Sequence, residues 1–158
     1  MENINDIAMK EAIKESTTFK DINYSNGGPF GAVIVKDGKI ISKAHNTVIE
    51  NFDPTAHAEV NAIREACKKL NTHDLSGCTL YASAEPCPMC LSAIIWANIK
   101  EVYYANTKED TEKIGFRDDM IYEFIKGNNN LIKLNHVISS EAKQVFDDFN
   151  NIENKNIY

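Results

Sequence analysis

Apolar and polar positions recur along this chain with two periods, one typical of helices and one typical of strands. At the N-terminus, apolar residues spaced by three or four positions (Ile4, Ile7, Ala8 and Ala12) predict an amphipathic helix that extends to about Phe19. The same two periods predict strands over 30–36, 39–44, 78–83, 101–105 and 133–138, and helices over 53–70, 89–98, 121–125 and 141–154. This order predicts an α/β fold in which helices cover a central mixed sheet of five strands.

Two dipeptides predict where elements turn or begin. Asp37-Gly38 separates two β-rich runs and is typical of a tight hairpin turn. Asp53-Pro54 predicts a helix start, with Asp53 as the N-cap and Pro54 as the first helical residue. Both signals are local, so they position the chain without depending on distant contacts.

The length and the charge of the chain limit the kinds of molecule that the protein is expected to bind. The 158 residues suit one domain, 1–158, and the longest apolar stretches, 32–35 and 93–97, are too short to span a bilayer. No secretory signal precedes the first helix, so we expect a cytoplasmic protein. With 17 Lys+Arg against 23 Asp+Glu, the net charge of −6 disfavours nucleic acid and favours a small-molecule substrate.

The four cysteines divide into two kinds. Cys87 and Cys90 form a C-x-x-C pair next to prolines, a pattern that indicates metal or redox chemistry outside secreted proteins. Cys67 lies in a predicted helix and Cys78 opens a predicted strand, so we expect both to pack in the core.

Two motifs carry the predicted chemistry. His57-Ala58-Glu59 and Cys87-Pro88-Met89-Cys90 each occur near a predicted helix start, about 30 residues apart. One imidazole and two thiolates give Zn²⁺ three ligands and leave a fourth position open for water, as catalytic zinc requires. Because side chains in a first helical turn lean toward the N-terminus, both motifs can reach one place. We therefore expect zinc on His57, Cys87 and Cys90, with Glu59 as a proton shuttle rather than a ligand.

Other interpretations of these motifs remain open at this point. A lone C-x-x-C is often structural or redox-active, and a lone His-x-Glu is usually a solvated helix face. A structural zinc site would need a fourth protein ligand, for which His45, His73 and His136 are the candidates. Glu59 argues against a zinc-stabilised binding module, because a purely structural site gives no reason for it.

The paired motifs resemble the signature of the zinc-dependent deaminases of the cytidine deaminase superfamily. The likeness includes residues 28–33 (Gly-Pro-Phe-Gly-Ala-Val), Asn46, and residues 53–59. Over residues 1–105 the chain is similar to the branch that holds guanine deaminases, tRNA adenosine deaminases and yeast-type cytosine deaminases. This resemblance implies a three-layer α-β-α cytidine deaminase-like fold.

Beyond that core the chain is most similar to the bacterial guanine deaminases, on residues 115–122 and on the terminal Tyr158. That resemblance implies Asp118 as a second acidic proton-transfer residue. It implies Asn46, Phe30, Trp96 and Tyr158 as substrate-binding residues. It also implies a homodimer in which residues 141–158 form a helix and a tail, with Tyr158 closing the pocket of the neighbouring subunit. Arg117 stands where those enzymes are expected to carry an acidic residue.

The expected reaction is therefore zinc-dependent hydrolysis of guanine to xanthine and ammonia. Deamination of tRNA adenosine, of guanosine or of cytosine is the alternative within this class of enzyme. A tRNA deaminase is expected to have a basic surface and stacking contacts for flipped bases. The acidic, Asn-rich segment 146–154 favours a small base instead.

Overall fold

The computed structural model describes residues 2–21 and 26–158. Its helices and strands, in chain order, are α1 (Ile4–Glu15), a short 3₁₀ turn (Thr18–Lys20), β1 (Gly31–Lys36), β2 (Lys39–His45), α2 (Ala58–Leu70), β3 (Cys78–Ala84), α3 (Pro88–Trp96), β4 (Glu101–Asn106), α4 (Lys108–Lys113), α5 (Asp119–Ile125) and α6 (Ser140–Asn150). The α4 helix was not predicted from the sequence. The other helices and the first four strands correspond to predicted elements, with shifted ends.

The strands form one mixed sheet in the order β2-β1-β3-β4. β1 pairs antiparallel with β2 and with β3, whereas β3 pairs parallel with β4. Ala32 lies opposite Ala44 on one side and opposite Ala82 on the other, which places the small residues of the sheet in one row.

Four strands are present in the described residues, so the prediction of a five-stranded sheet was wrong. Residues 133–138 form no strand, and Leu134, Val137 and Ile138 are 80%, 80% and 81% exposed. Their apolar pattern resembles that of a strand, but a strand also needs a neighbouring edge to receive its backbone hydrogen bonds. No described strand pairs with this segment.

Helices cover both faces of the sheet, which confirms the three-layer α-β-α arrangement. Alternate residues of β1 face opposite ways. Val33 and Val35 pack with Ala8 and Ala12 of α1. Ala32 and Ile34 belong to the larger cluster on the other face, which includes alanines of α2 and Ile94 of α3.

The start of α2 differs from the prediction in a way that matters for the site. Asp53 does not cap this helix: residues 53–56 form a turn in which the Asp53 carbonyl accepts from the backbone N–H of Ala56 at 3.0 Å, while the Asp53 carboxylate accepts from the backbone N–H and the hydroxyl of Thr55, at 2.8 and 2.7 Å. An aspartate that binds the chain two residues ahead holds a turn. The helix therefore begins at Ala58, and His57 occupies the N-cap position.

The C-terminal third of the chain packs loosely on this core. Neither α5 nor α6 contains a buried residue. Apolar side chains of α6, among them Val145, Phe146 and Phe149, are exposed. In the described parts of the chain, no helix combines the length and the apolar character that a membrane span needs.

Candidate active site

The N-termini of α2 and α3 meet near the C-terminal end of β3. This arrangement brings together the three predicted metal ligands. His57 is the N-cap of α2 and Cys87 is the N-cap of α3, while Cys90 lies in the first turn of α3. Nδ1 of His57 lies 3.6 Å from each of the two cysteine sulfurs. The three ligand atoms all lie within 4.8 Å of one another, and both cysteines are buried.

These distances fit zinc. A tetrahedral zinc ion with bonds of about 2.3 Å to sulfur and about 2.0 Å to nitrogen holds sulfur and nitrogen about 3.6 Å apart. The two separations between His57 and the cysteines have this value. The donor set leaves one tetrahedral position for a non-protein ligand, as a catalytic zinc site requires.

The groups around the three predicted ligands favour the thiolate form of Cys87, the cysteine at the N-cap of α3. The neighbouring Cys90 side chain and the His57 ring lower the pKa of the Cys87 thiol to about 4. The same pairing, together with burial, raises the pKa of Cys90. The neighbouring Cys87 sulfur raises the pKa of His57. The free N–H groups at the start of α3 add a positive field, which stabilises thiolate.

Glu59 lies in the first turn of α2, directly beside the cluster. Its side chain is only 6% exposed, and burial raises the pKa of its carboxyl group. The Cys90 thiol donates toward Oε2 of Glu59 at 3.4 Å. Among the described residues, the compact group of ligand atoms comprises His57, Cys87 and Cys90 and does not include Glu59. A buried carboxyl group of raised pKa is suited to accept and return a proton.

A cavity of about 370 Å³ opens onto this cluster, and two phenylalanines form part of its wall. The rings of Phe30 and Phe116 are 5.1 Å apart between centroids and nearly perpendicular, at 83°. Gly28 makes this arrangement possible, since a Cβ there would lie 2.7 Å from the Phe30 ring and 3.1 Å from the Phe116 ring. The wall presents flat apolar surface of the kind that packs on a planar ring.

Asn46 is held in one orientation at the cavity wall. It is buried, and its Oδ1 accepts hydrogen bonds from the backbone N–H groups of Gly28 at 3.3 Å and Val48 at 3.1 Å. Its oxygen is thereby occupied within the loop, and its amide NH₂ group remains to donate to another partner.

Asp118 precedes α5 and lines the same cavity. Burial, and then the charge of the nearby Cys87 thiolate, raise the pKa of Asp118. Arg117 does not neutralise it, because the guanidinium group pairs instead with Asp119 at 3.1 Å, on the surface. The Asp118 carboxyl group can therefore exchange a proton inside the cavity.

A comparison with protein families agrees with this geometry. Residues 2–106 match the family described as the cytidine and deoxycytidylate deaminase zinc-binding region. The chain belongs to this deaminase family. Zinc is accordingly its metal, and the cluster of His57, Cys87 and Cys90 is where the fold can hold the ion.

Individual relatives of this deaminase extend the likeness beyond the zinc-binding region. The chain is 48% identical to the guanine deaminase of Bacillus subtilis (strain 168) over 139 residues, which are 87% of this chain and 89% of that protein. Its fold matches the X-ray structure of guanine deaminase from Bacillus subtilis with a TM-score of 0.88 and 45% identity, covering 96% of this chain and 97% of that one. It is 57% identical to the tRNA-specific adenosine deaminase of Aquifex aeolicus (strain VF5) over 77 residues, 49% of this chain and 51% of that protein.

Two residues expected in the substrate pocket do not reach the cavity of this deaminase within a single chain. Trp96, at the end of α3, is 63% exposed, and Tyr158 is 79% exposed. Their rings lie 5.7 Å apart, and the Tyr158 ring also lies 6.2 Å from that of His73. Within one chain, Trp96 lies outside the residues that line the cavity. A role for either residue at a neighbouring subunit's pocket stays a prediction.

Sequence reasoning gave no role to several residues of the cavity wall, among them Glu85, Thr111 and Phe116. Phe116 lies in a segment that was singled out for its resemblance, but it was given no role. Glu85 directly precedes the Pro-Cys-Pro motif, and its proximity to Cys87 could have suggested it. Thr111 lies in the helix that was not predicted, and no sequence signal pointed to it.

Proposed function

We propose that this deaminase hydrolyses guanine to xanthine and ammonia. The main support for the proposal is a cavity of about 370 Å³. Three residues that could hold zinc, a buried glutamate and two aromatic side chains all lie around it. The volume suits one planar base. The likeness to a guanine deaminase over 139 residues supports the same substrate.

In this reaction water adds to the amino-bearing carbon of the ring, and the carbon–nitrogen bond breaks to release ammonia. His57, Cys87 and Cys90 would hold zinc, which would supply hydroxide at neutral pH by lowering the pKa of a water molecule. Glu59 accepts one proton of the attacking water and passes it to a ring nitrogen; it then accepts the second proton, from the hydroxyl group added to the carbon, and passes it to the departing amine. Its burial keeps these transfers away from bulk solvent.

The other cavity residues position the base. The NH₂ group of Asn46 donates to an acceptor on the ring, because its oxygen is already bound within its own loop. Phe30 packs on the face of the base, and the ring of Phe116 packs edge-on against the ring of Phe30. Asp118 serves as a second acidic group for proton transfer, which its raised pKa supports.

We further propose that the enzyme is a homodimer in which residues 141–158 complete a neighbouring site. Three apolar surfaces support this assembly: Ile95 and Trp96 on α3, the apolar side chains of α6, and Tyr103 and Tyr104 on β4, all of them exposed. Apolar surface spread over three elements of one chain is typical of an interface that another copy covers. In such a dimer Tyr158 would close the neighbouring subunit's pocket.

A panel of substrates tests the reaction. Zinc-loaded protein is incubated with guanine, guanosine, cytosine, adenine and a tRNA stem-loop, and ammonia release is measured. We expect guanine to have the highest kcat/KM. The tRNA alternative is disfavoured by the net charge of −6 and by lower identity, since a tRNA-specific adenosine deaminase that matches 77% of this chain is 35% identical, against 48% for the guanine deaminase. Faster turnover of the stem-loop than of any free base would reverse this assignment, and no turnover of any substrate would favour a zinc-stabilised binding module.

A further inference from the structure

Thr111, a residue of α4, is buried and carries a polar side chain. The residue is 7% exposed, and its Oγ1 makes no hydrogen bond with any residue in 2–21 or 26–158. The same side chain lines the cavity that ends at the metal cluster, together with Asn46 and Asp118. An unpaired hydroxyl group therefore lies at the wall of the substrate pocket.

Packing alone does not explain this hydroxyl. A buried donor and acceptor without a partner costs free energy, whereas valine would fill nearly the same volume at no such cost. Threonine in a helix populates two χ1 rotamers, and a rotation of about 120° moves the hydroxyl group from one staggered position to another. A hydrogen-bond partner in the cavity would favour the rotamer that reaches it.

The helix that carries Thr111 is anchored at its start. Thr107 and Asp110 form a capping box, with each side chain bound to the other residue's backbone N–H at 3.3 and 3.1 Å. The backbone N–H of Lys108 donates to Glu85 at 3.0 Å, which ties α4 to the segment that leads to Cys87. A polar group on so constrained an element is positioned before a ligand arrives.

We propose that Thr111 is a specificity-determining residue whose hydroxyl hydrogen-bonds to a ring atom of the bound base. This assignment rests on the proposed base deaminase activity. A hydroxyl group can both donate and accept, so the residue can recognise either a ring N–H or an unprotonated ring nitrogen. The bond that the hydroxyl lacks in the free protein is thus supplied by the substrate.

The test compares Thr111→Val, which deletes the hydroxyl at nearly constant volume, with Thr111→Ser, which keeps it. Thr79→Val on β3, outside the cavity lining, is the control. We expect Thr111→Val to lower kcat/KM about tenfold on the base that the wild-type enzyme turns over fastest, the loss of one good hydrogen bond. Thr111→Ser is expected to remain within about threefold of the wild type.

Two further measurements separate recognition from a structural role. The midpoint of thermal unfolding and the zinc content of Thr111→Val should equal or exceed those of the wild type, because no protein hydrogen bond is removed. With 7-deaza- and 9-deazaguanine, which keep the ring nitrogens beside the reacting carbon, the tenfold loss should vanish for the analogue that lacks the contacted nitrogen and persist for the other. Thr111→Val activity within twofold of the wild type, or a loss accompanied by a lower unfolding midpoint, would overturn the proposal. Failure of the proposed function shows separately, in the wild-type ranking of bases.

Discussion

At the scale of single residues, the three metal ligands are held by backbone positions rather than by neighbouring side chains. His57 and Cys87 are N-caps, and Cys90 lies one turn into its helix. We expect His57→Ala, Cys87→Ala and Cys90→Ala each to lose zinc and to unfold at lower temperature, since binding and folding are coupled. Cys67→Ala removes a thiol of α2 outside the cluster and should keep one zinc per chain. Metal analysis checks this, and full zinc occupancy in all three variants would contradict the ligand assignment.

The proposed proton-transfer role of Glu59 can be tested separately from metal binding. Because it lies beside the ligands without joining them, Glu59→Gln should retain zinc while kcat falls by about 10² or more, the usual contribution of a positioned acid–base group. The matched control is Glu65→Gln, an exposed glutamate of the same helix. Single-turnover rates with guanine and metal content are the measurements. Equal rates for Glu59→Gln and the control would remove Glu59 from the mechanism.

At the scale of elements, the contact between α1 and β1 depends on a missing side chain. A Cβ at Gly31 would lie 2.1 Å from the backbone oxygen of Ala12 and 2.6 Å from the backbone nitrogen of Ser16. The backbone N–H of Gly31 also donates to Ser83, which links β1 to β3 near the site. Gly31 therefore connects the α1 helix with two strands of the sheet, β1 and β3.

Gly31→Ala should consequently destabilise the fold by about 1–3 kcal/mol, as overpacking of a dense core does. Gly77→Ala is the comparison, because nothing lies within 4 Å of its Cβ position and only its positive φ of 78° opposes alanine. That conformational penalty is about 1 kcal/mol. Urea unfolding of both variants measures the two free energies. A smaller loss at Gly31 than at Gly77 would mean that α1 shifts away easily.

At the scale of the whole molecule, the exposed apolar side chains of the C-terminal third are the reason for the proposed dimer. We expect sedimentation at micromolar concentration to show a dimer, and removal of residues 155–158 to leave folding and zinc intact. The truncation should lower kcat/KM for guanine by about 10- to 100-fold, because a closed pocket excludes water and strengthens the polar contacts inside it. A monomeric wild type, or an unchanged kcat/KM after truncation, would count against a shared site.

Mixing two defective chains distinguishes a shared site from a self-contained one. Glu59→Gln supplies an intact tail but a defective site, and the truncated chain supplies the reverse. If Tyr158 acts on the neighbouring subunit, heterodimers formed by mixing and exchange should contain one complete site and regain activity. A Glu59→Gln chain that is also truncated is the control, since it can complete no site. Activity of the mixture that never exceeds the sum of the separate chains would place the tail at its own pocket.

The sequence by itself determined the features that depend on short stretches of chain. His57, Cys87 and Cys90 lie together with Glu59 beside them, as the two motifs predicted, because each motif lies at the start of a helix, where side-chain direction follows from local geometry. In β1 the residues 31–35 are all buried, so the sequence determined only that successive side chains point to opposite faces, and packing decided which of them face α1.

Only the tertiary structure decided features that require distant partners. A fifth strand over 133–138 failed because an apolar pattern does not provide the neighbouring edge that a strand needs. The start of α2 moved from Asp53 to Ala58 because residues 53–56 close into a separate turn and His57 takes the N-cap position. The pairing of Phe30 with Phe116 and the unpartnered hydroxyl of Thr111 arise where segments far apart in sequence meet. Sequence periodicity records the environment of a residue along its own element, whereas contacts between elements are fixed only when the whole chain packs.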